Sequence, residues 1–195
     1  MIGSDAHTFG RLITAMVTPF DDELKIDHKA LEKVIDHLIK NGTDTIVVSG
    51  TTGESPTLDD NEKKELLKAV LGHAKGRAKV VMGTGSNDTA KSIKASCEAE
   101  QLGADGLLLV APYYNKPNQD GLLAHYEAIL NATSLPGILY NIPGRTGINV
   151  SVDTTVELGQ RCRNLHALKD STGSVEQAGE IASKARKDFR IYSGD

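Results

Sequence analysis

Residues 45–82 read TIVVSGTTGESPTLDDNEKKELLKAVLGHAKGRAKVVM. The segment opens on the β-branched run Thr45–Val48 and closes on another, Lys79–Met82. Short runs rich in Val, Ile and Thr are strand material. Between them Leu66, Leu67, Val70 and Leu71 recur at helical spacing. Asp59 stands where a short acceptor side chain would satisfy the first free amides of that helix, and Gly72 marks its expected end. A strand, a helix and a strand in this order imply parallel pairing, because antiparallel neighbours are joined by short turns.

The same unit repeats outward in both directions. Further strand-like runs lie at Leu12–Val17, Gly106–Val110, Ile138–Tyr140, His166–Lys169 and Arg190–Tyr192. Leu31, Val34, Ile35, Leu38 and Ile39 form another amphipathic stripe, with Asp27 at its start and Gly42 at its end. Asn87 or Asp88 opens the third helix, and Gly103 follows it. Seven strands alternating with six helices make an α/β chain with most of a (β/α)8 TIM barrel. An open doubly wound sheet is the competing architecture, and it carries a glycine-rich phosphate turn after its first strand. Here that strand runs into Thr18-Pro19-Phe20-Asp21, so the barrel is the expectation. With 195 residues, 39% of them apolar, residues 1–195 are read as one incomplete barrel domain.

Composition removes several functional classes. A net charge of −4 with both signs interleaved offers no basic stripe for a phosphate backbone, so no nucleic-acid partner is expected. No apolar run approaches the roughly 20 residues of a membrane span. Met1–Gly10 lacks the apolar core of a secretory signal, which points to a cytoplasmic protein. Cys97 and Cys162 fall inside expected helices without metal or redox spacing, and read as buried or half-buried free thiols. The six histidines are scattered without metal spacing. Gly85–Ser92 approaches a phosphate-binding loop, but Ala90 replaces its second glycine and Asp88 sets a negative charge in the cradle.

Chemistry in a parallel barrel collects at the carboxyl ends of strands. After the second strand, Gly50-Thr51-Thr52-Gly53-Glu54-Ser55 offers two hydroxyls and a run of backbone amides suited to a carboxylate or phosphate. The alternative is a plain turn with Ser55 or Thr57 capping the next helix. After the fourth strand, Pro112-Tyr113-Tyr114-Asn115 puts two of the five tyrosines in one loop, either for catalysis or for packing on a neighbouring subunit. Tyr140 alternates with Ile138 on the expected lumen face, and Leu139 faces the helices. Its hydroxyl needs a partner, for which the Thr51 turn is a candidate. Lys169 closes the sixth strand on the face of the small Ala167. Desolvation there favours the free amine, which attacks carbonyls. Snorkelling to solvent or pairing with Asp170 is the plainer alternative.

Four motifs together resemble the dihydrodipicolinate synthase and N-acetylneuraminate lyase family: Gly50–Ser55, Pro112–Asn115, Tyr140–Gly147 and Lys169-Asp170-Ser171-Thr172-Gly173. The resemblance spans nearly the whole chain. It implies a Schiff-base condensation of pyruvate with aspartate semialdehyde to 4-hydroxy-tetrahydrodipicolinate, a step of lysine and diaminopimelate biosynthesis, without metal or organic cofactor. By match of position Lys169 would form the imine, with the pyruvate carboxylate on Gly50, Thr51 and Thr52. Tyr140, Thr51 and Tyr114 would form a proton relay, Tyr114 coming from a neighbouring protomer of a dimer of dimers. Arg145 would grip the carboxylate of the semialdehyde through a bidentate fork. The lyases and 2-keto-3-deoxy sugar-acid aldolases of the family differ at the second substrate, and Thr51 with Arg145 resembles the synthase side. A non-catalytic barrel fragment is the alternative of a different kind. Lysine-sensitive members resemble one another in carrying histidine and glutamate where this chain has Asp60, Lys63 and Lys91, which implies weak or absent inhibition by lysine. The family continues through an eighth strand and carboxyl-terminal helices after the position of Asp195, so the chain alone is expected to associate and to turn over poorly.

Overall fold

The computed structural model describes residues 9–194. The expectation about a leader at Met1–Gly10 falls mostly on residues 1–8, outside the described residues, as does Asp195 after the seventh strand. The chain forms two compact units, residues 9–83 with 99–106, and residues 84–98 with 107–194. Every strand pair in each unit is parallel and joins strands consecutive in the chain.

In the first unit β1 (Ile13–Ala15), β2 (Thr45–Val48) and β3 (Lys79–Gly83) carry α1 (His28–Lys40) and α2 (Asp60–Ala74) between them. All four residues of β2 are buried, as befits a strand covered on both faces. Leu31 and Ile35 of α1 and Leu66, Leu67 and Val70 of α2 supply apolar cover that is almost completely inaccessible. Both helices start at the expected acids. Asp27 accepts from the Lys29 and Ala30 amides at 2.9 and 3.0 Å. Asp59 accepts from Asn61 and Glu62 while Glu62 reaches back to the Asp59 amide, a closed capping box. Helix α2 runs past Gly72 to Ala74, because a solvent-facing glycine lowers helix propensity without forcing a stop. β1 is shorter than expected, and Val17, at 48% exposure, lies beyond it. Phe20 and Ile26 form an antiparallel bridge around a turn in which Asp21 accepts from Glu23 and Lys25.

The second unit holds β4 (Gly106–Val110), β5 (Gly137–Asn141), β6 (Leu165–Asp170) and β7 (Arg190–Ser193). Its helices are α4 (Gln119–Asn131), a single turn α5 (Pro143–Thr146), α6 (Val152–Arg161) and α7 (Val175–Lys184), and α3 (Thr89–Leu102) begins in it. The six expected crossover helices are therefore present, with α5 as an addition inside the β5 to α6 connection. Asp88 opens α3 by accepting from the Lys91 amide at 2.9 Å. Cys97 is half-buried within α3, whereas Cys162 is the buried residue that ends α6 rather than an interior one. The β5–β6 ladder slips by one residue between Gly137 and Ile138, so that Gly137 faces Leu165 and Ile138 faces Ala167. A Cβ at Gly137 would approach Leu130 Cδ2 to 2.8 Å, so a side chain there would require that leucine to shift.

His125 and Tyr126 of α4 are buried beside each other. His125 Nδ1 lies 2.8 Å from Thr89 Oγ1 while its Nε2 and the Tyr126 hydroxyl are without hydrogen-bond partners. Burial holds the imidazole below its ordinary value, and the Asp88 charge opposes this more weakly. Above the ordinary histidine range both folded and unfolded chains carry the ring neutral. Below about pH 6.5 the unfolded chain takes up a proton that the folded one refuses, so stability falls as the pH drops toward the depressed native value. We expect the urea midpoint to fall between pH 7.5 and pH 5.5 in the parent chain, at about those two settings, and to fall less in His125→Asn; equal slopes in the two chains would exclude His125 as the group responsible.

Candidate active site

Parallel pairing with the one-residue slip sets three side chains in a row at one level of the second unit. Tyr140 of β5 is the register partner of Lys169 of β6, which is the partner of Tyr192 of β7. Without the slip Tyr140 would face Leu168. Lys169 Nζ lies over the Tyr140 ring, 4.2 Å from its centroid. Tyr140 is 6% exposed and Leu139, on the opposite face, is fully buried, as the alternation predicts. Asp170 does not take the lysine: its carboxylate accepts from the Thr172 amide at 3.2 Å.

The amine is held below the ordinary lysine range, first by burial and then by the positive charge of Arg145. The electron-rich ring face acts in the opposite sense, worth about 0.5–2 kcal/mol in favour of the ammonium. Desolvation of an ammonium costs more than that, so the direction follows burial. Arg145 sits exposed on α5, whose turn is closed by Arg145 and Thr146 amides donating to Ile142 O at 3.1 and 3.0 Å. Gly194 closes the space beside the lysine. A Cβ there would meet Lys169 Cε at 2.9 Å and would overlap Ser171 Oγ, so a side chain at this position would displace the amine stem. Ser171 Oγ itself is buried and without a hydrogen-bond partner.

Tyr114 is 88% exposed and adopts φ of +69°, with Lys116 also left-handed at +47°. Two non-glycine residues in this conformation mark a loop whose shape is imposed by its surroundings. The Tyr114 amide donates to Thr146 O at 3.3 Å, which ties the tyrosine loop to the turn that carries Arg145. The structure thus brings Lys169, Tyr140 and Arg145 together and fastens the Tyr114 loop to the last of these.

In the first unit the turn after β2 has its own rigid build. Ser49 and Glu54 are left-handed at +56° and +55°. Ser49 Oγ donates to Ser55 Oγ at 2.9 Å, the Ser55 amide donates to Gly50 O at 3.3 Å, and Thr18 Oγ1 donates to Gly53 O at 2.7 Å. Gly50 is buried, and Thr51 and Thr52 are exposed at the crest. Ser55–Thr57 form a 3-10 turn, and the cap of α2 is Asp59, so neither Ser55 nor Thr57 serves as that cap. Among the described residues no group of three or more His, Cys, Asp and Glu side chains is placed to hold a metal, and no helix is long and apolar enough to cross a membrane.

Alternating parallel strands and helices with a half-buried lysine at a strand end define a protein of the (β/α) barrel class. The chain belongs to the Dihydrodipicolinate synthetase family, whose profile matches residues 8–195. It is 51% identical over 187 residues to the 4-hydroxy-tetrahydrodipicolinate synthase of Desulforamulus reducens, covering 96% of this chain and 63% of that protein. The enzyme of the same name from Bacillus subtilis is 47% identical, with 96% and 64% covered. A solved dihydrodipicolinate synthase from Bacillus anthracis superposes with a TM-score of 0.95 at 48% identity, over 96% of this chain and 64% of that one. One from Cyanidioschyzon merolae, solved with lysine bound, gives 0.94 at 47% identity over the same shares. The fold is therefore the α/β TIM-barrel class in part, with seven parallel strands, and the chain spans about 63% of the length of the curated relative from D. reducens.

Two features escaped the reading of the sequence. Ser171 appears there only as a member of a motif and Gly194 not at all, and their closeness to the lysine emerges once β6 and β7 are paired. The depressed amine has a direct check. In competitive acetylation over a pH series, Lys169 is expected to titrate below the surface lysines, and Arg145→Gln is expected to move it upward; an unchanged Lys169 profile in that variant would remove Arg145 as a cause.

Proposed function

We propose that the protein to which this chain belongs condenses pyruvate with aspartate semialdehyde through an imine on Lys169, giving 4-hydroxy-tetrahydrodipicolinate. The observation that carries this reading is the half-buried Lys169 amine over the Tyr140 ring, held below the ordinary lysine range by desolvation and by the charge of Arg145. Family membership and the printed names of relatives support the choice of substrates.

The neutral amine attacks the pyruvate ketone carbon, forming a carbinolamine. Loss of water then leaves a protonated imine. That cation draws electrons from the methyl group, which loses a proton and becomes an enamine carbon nucleophilic toward the aldehyde. Tyr140, buried beside the amine, is assigned the proton transfers at the reacting oxygen. The exposed hydroxyls of Thr51 and Thr52 and the amides of the Gly50 turn are assigned the pyruvate carboxylate. Thr51 and Tyr114 are assigned to the proton relay with Tyr140, Tyr114 serving a neighbouring protomer of a homo-oligomer. Arg145 is assigned the semialdehyde carboxylate, where a planar fork gives two parallel hydrogen bonds. Attack by the substrate's own amine then releases Lys169 and closes the ring. The setting proposed is cytoplasmic.

Pyruvate with borohydride is expected to leave one reduced three-carbon adduct, placed on Lys169 by peptide mass spectrometry. Labelling spread over surface lysines would remove the imine assignment. In the full-length protein Arg145→Ala is expected to retain that adduct while raising the KM for aspartate semialdehyde by about 10- to 100-fold, the scale of a lost charge-assisted pair. An unchanged KM would take that role from Arg145. Lysine is expected to inhibit weakly at sub-millimolar concentration, because Lys91 would face the incoming ammonium with a like charge. Strong inhibition in the same assay would overturn this.

A further inference from the structure

Asn141 ends β5 with none of its surface exposed, yet it is fully engaged. Its Oδ1 accepts from the Val150 amide at 3.1 Å, and its Nδ2 donates to Val150 O at 3.0 Å and to Asn149 Oδ1 at 2.8 Å. The side-chain amide thus copies one rung of a sheet ladder, bolting the start of a loop to its end. That loop contains α5 and Arg145.

The far side of the loop is anchored again. Asn149 Nδ2 donates to Gln177 Oε1 of α7 at 2.9 Å, and Gln177 Nε2 returns to Val150 O at 3.1 Å. Gln119 of α4 donates to Asn149 O at 3.0 Å and accepts from the Ser151 amide and Thr154 Oγ1 at 3.1 and 2.7 Å. Inside the loop the single Thr146 hydroxyl proton has two carbonyl acceptors within reach, Ile142 O and Ile148 O at 3.0 and 2.9 Å. A buried amide is costly unless its donors and acceptors are met, so a network this complete selects one loop geometry.

We propose that Asn141 is a positioning residue: by closing the loop from Asn141 to Val150 it fixes the guanidinium of Arg145 relative to the Lys169 amine. The proposal rests on the imine reading of Lys169. Packing alone gives no reason for an amide at this point, and the residue on the loop with an electrostatic effect on the lysine is Arg145. Loosening the clamp therefore reproduces the loss of Arg145 at the lysine, without touching either side chain.

The test follows the rate of borohydride-trapped pyruvate on Lys169 across a pH series, in the parent chain and in Arg145→Ala, Asn141→Ala, Gln177→Ala and the Asn141→Ala, Arg145→Ala double variant. Arg145→Ala is expected to move the midpoint upward and to slow trapping at neutral pH by about threefold. Asn141→Ala is expected to do the same, Gln177→Ala to do so by less, and the double variant to go no further than Arg145→Ala. A shift in the double variant equal to the sum of the single shifts, or an unmoved midpoint in Asn141→Ala or Arg145→Ala, overturns the proposal. If Asn141→Ala fails to fold, the partly exposed Gln177 decides, and an unmoved midpoint in its variant overturns the proposal. Absence of any adduct in the parent chain defeats the imine reading instead; the same pattern is then sought in competitive acetylation of Lys169, where its absence defeats the clamp as well.

Discussion

A single-residue slip in a parallel ladder aligns the chemistry of the second unit. Side chains along a strand alternate between faces, and neighbouring strands share a face only where their registers agree. Between Gly137 and Ile138 the pairing with β6 skips His166, and from there Tyr140 falls level with Lys169 and Asn141 with Asp170. The tyrosine ring under the amine, the burial that depresses the amine and the amide at the strand end all inherit that register.

In each unit the backbone after certain strands is held away from its relaxed conformations. Four of the five non-glycine residues with positive φ stand after strands, Ser49 and Glu54 in the first unit, Tyr114 and Lys116 in the second. Such conformations cost of order 1 kcal/mol or more each and persist where surrounding bonds over-determine them. The Ser49 to Ser55 hydroxyl pair and the Tyr114 amide on Thr146 O are bonds of that kind. Rigid loops of this sort place donors without waiting for a ligand to order them, which is what an electrostatic site requires.

Much of this was legible in the sequence because it is written in short-range patterns. The β-branched runs located all seven strands, and Asp27, Asp59 and Asp88 cap the helices they were read to start. Strand ends moved by a residue or more where flanking residues either join the ladder, as Gly137 and Asn141 do, or leave it, as Val17 does. The turn α5 has no counterpart among the expected helices, since a proline and a glycine at its start conceal one helical turn. The candidate lysine and tyrosine stood out as unusual residues at strand ends, whereas Arg145 was reached only through the family resemblance. What remained hidden depends on pairing across distance: the slip at Gly137, the lean of Gly194 on Lys169, and amide partners such as Asn149 with Gln177, which lie 28 residues apart. No local pattern encodes those.

The slip also sets terms for how such a chain drifts over evolutionary time. Substitutions on the exposed helix faces leave the alignment of β5 and β6 intact, and so do changes of length in a connection that has slack. A gain or loss of one residue within Gly137–Tyr140 or Leu165–Lys169 is different in kind, because it would rotate every later side chain of that strand to the other face. The tyrosine and the lysine would then part company while the hydrophobic composition stayed the same. Lineages of this fold are free to diverge widely in letters, but between Gly137 and Lys169 the two strands must keep count together.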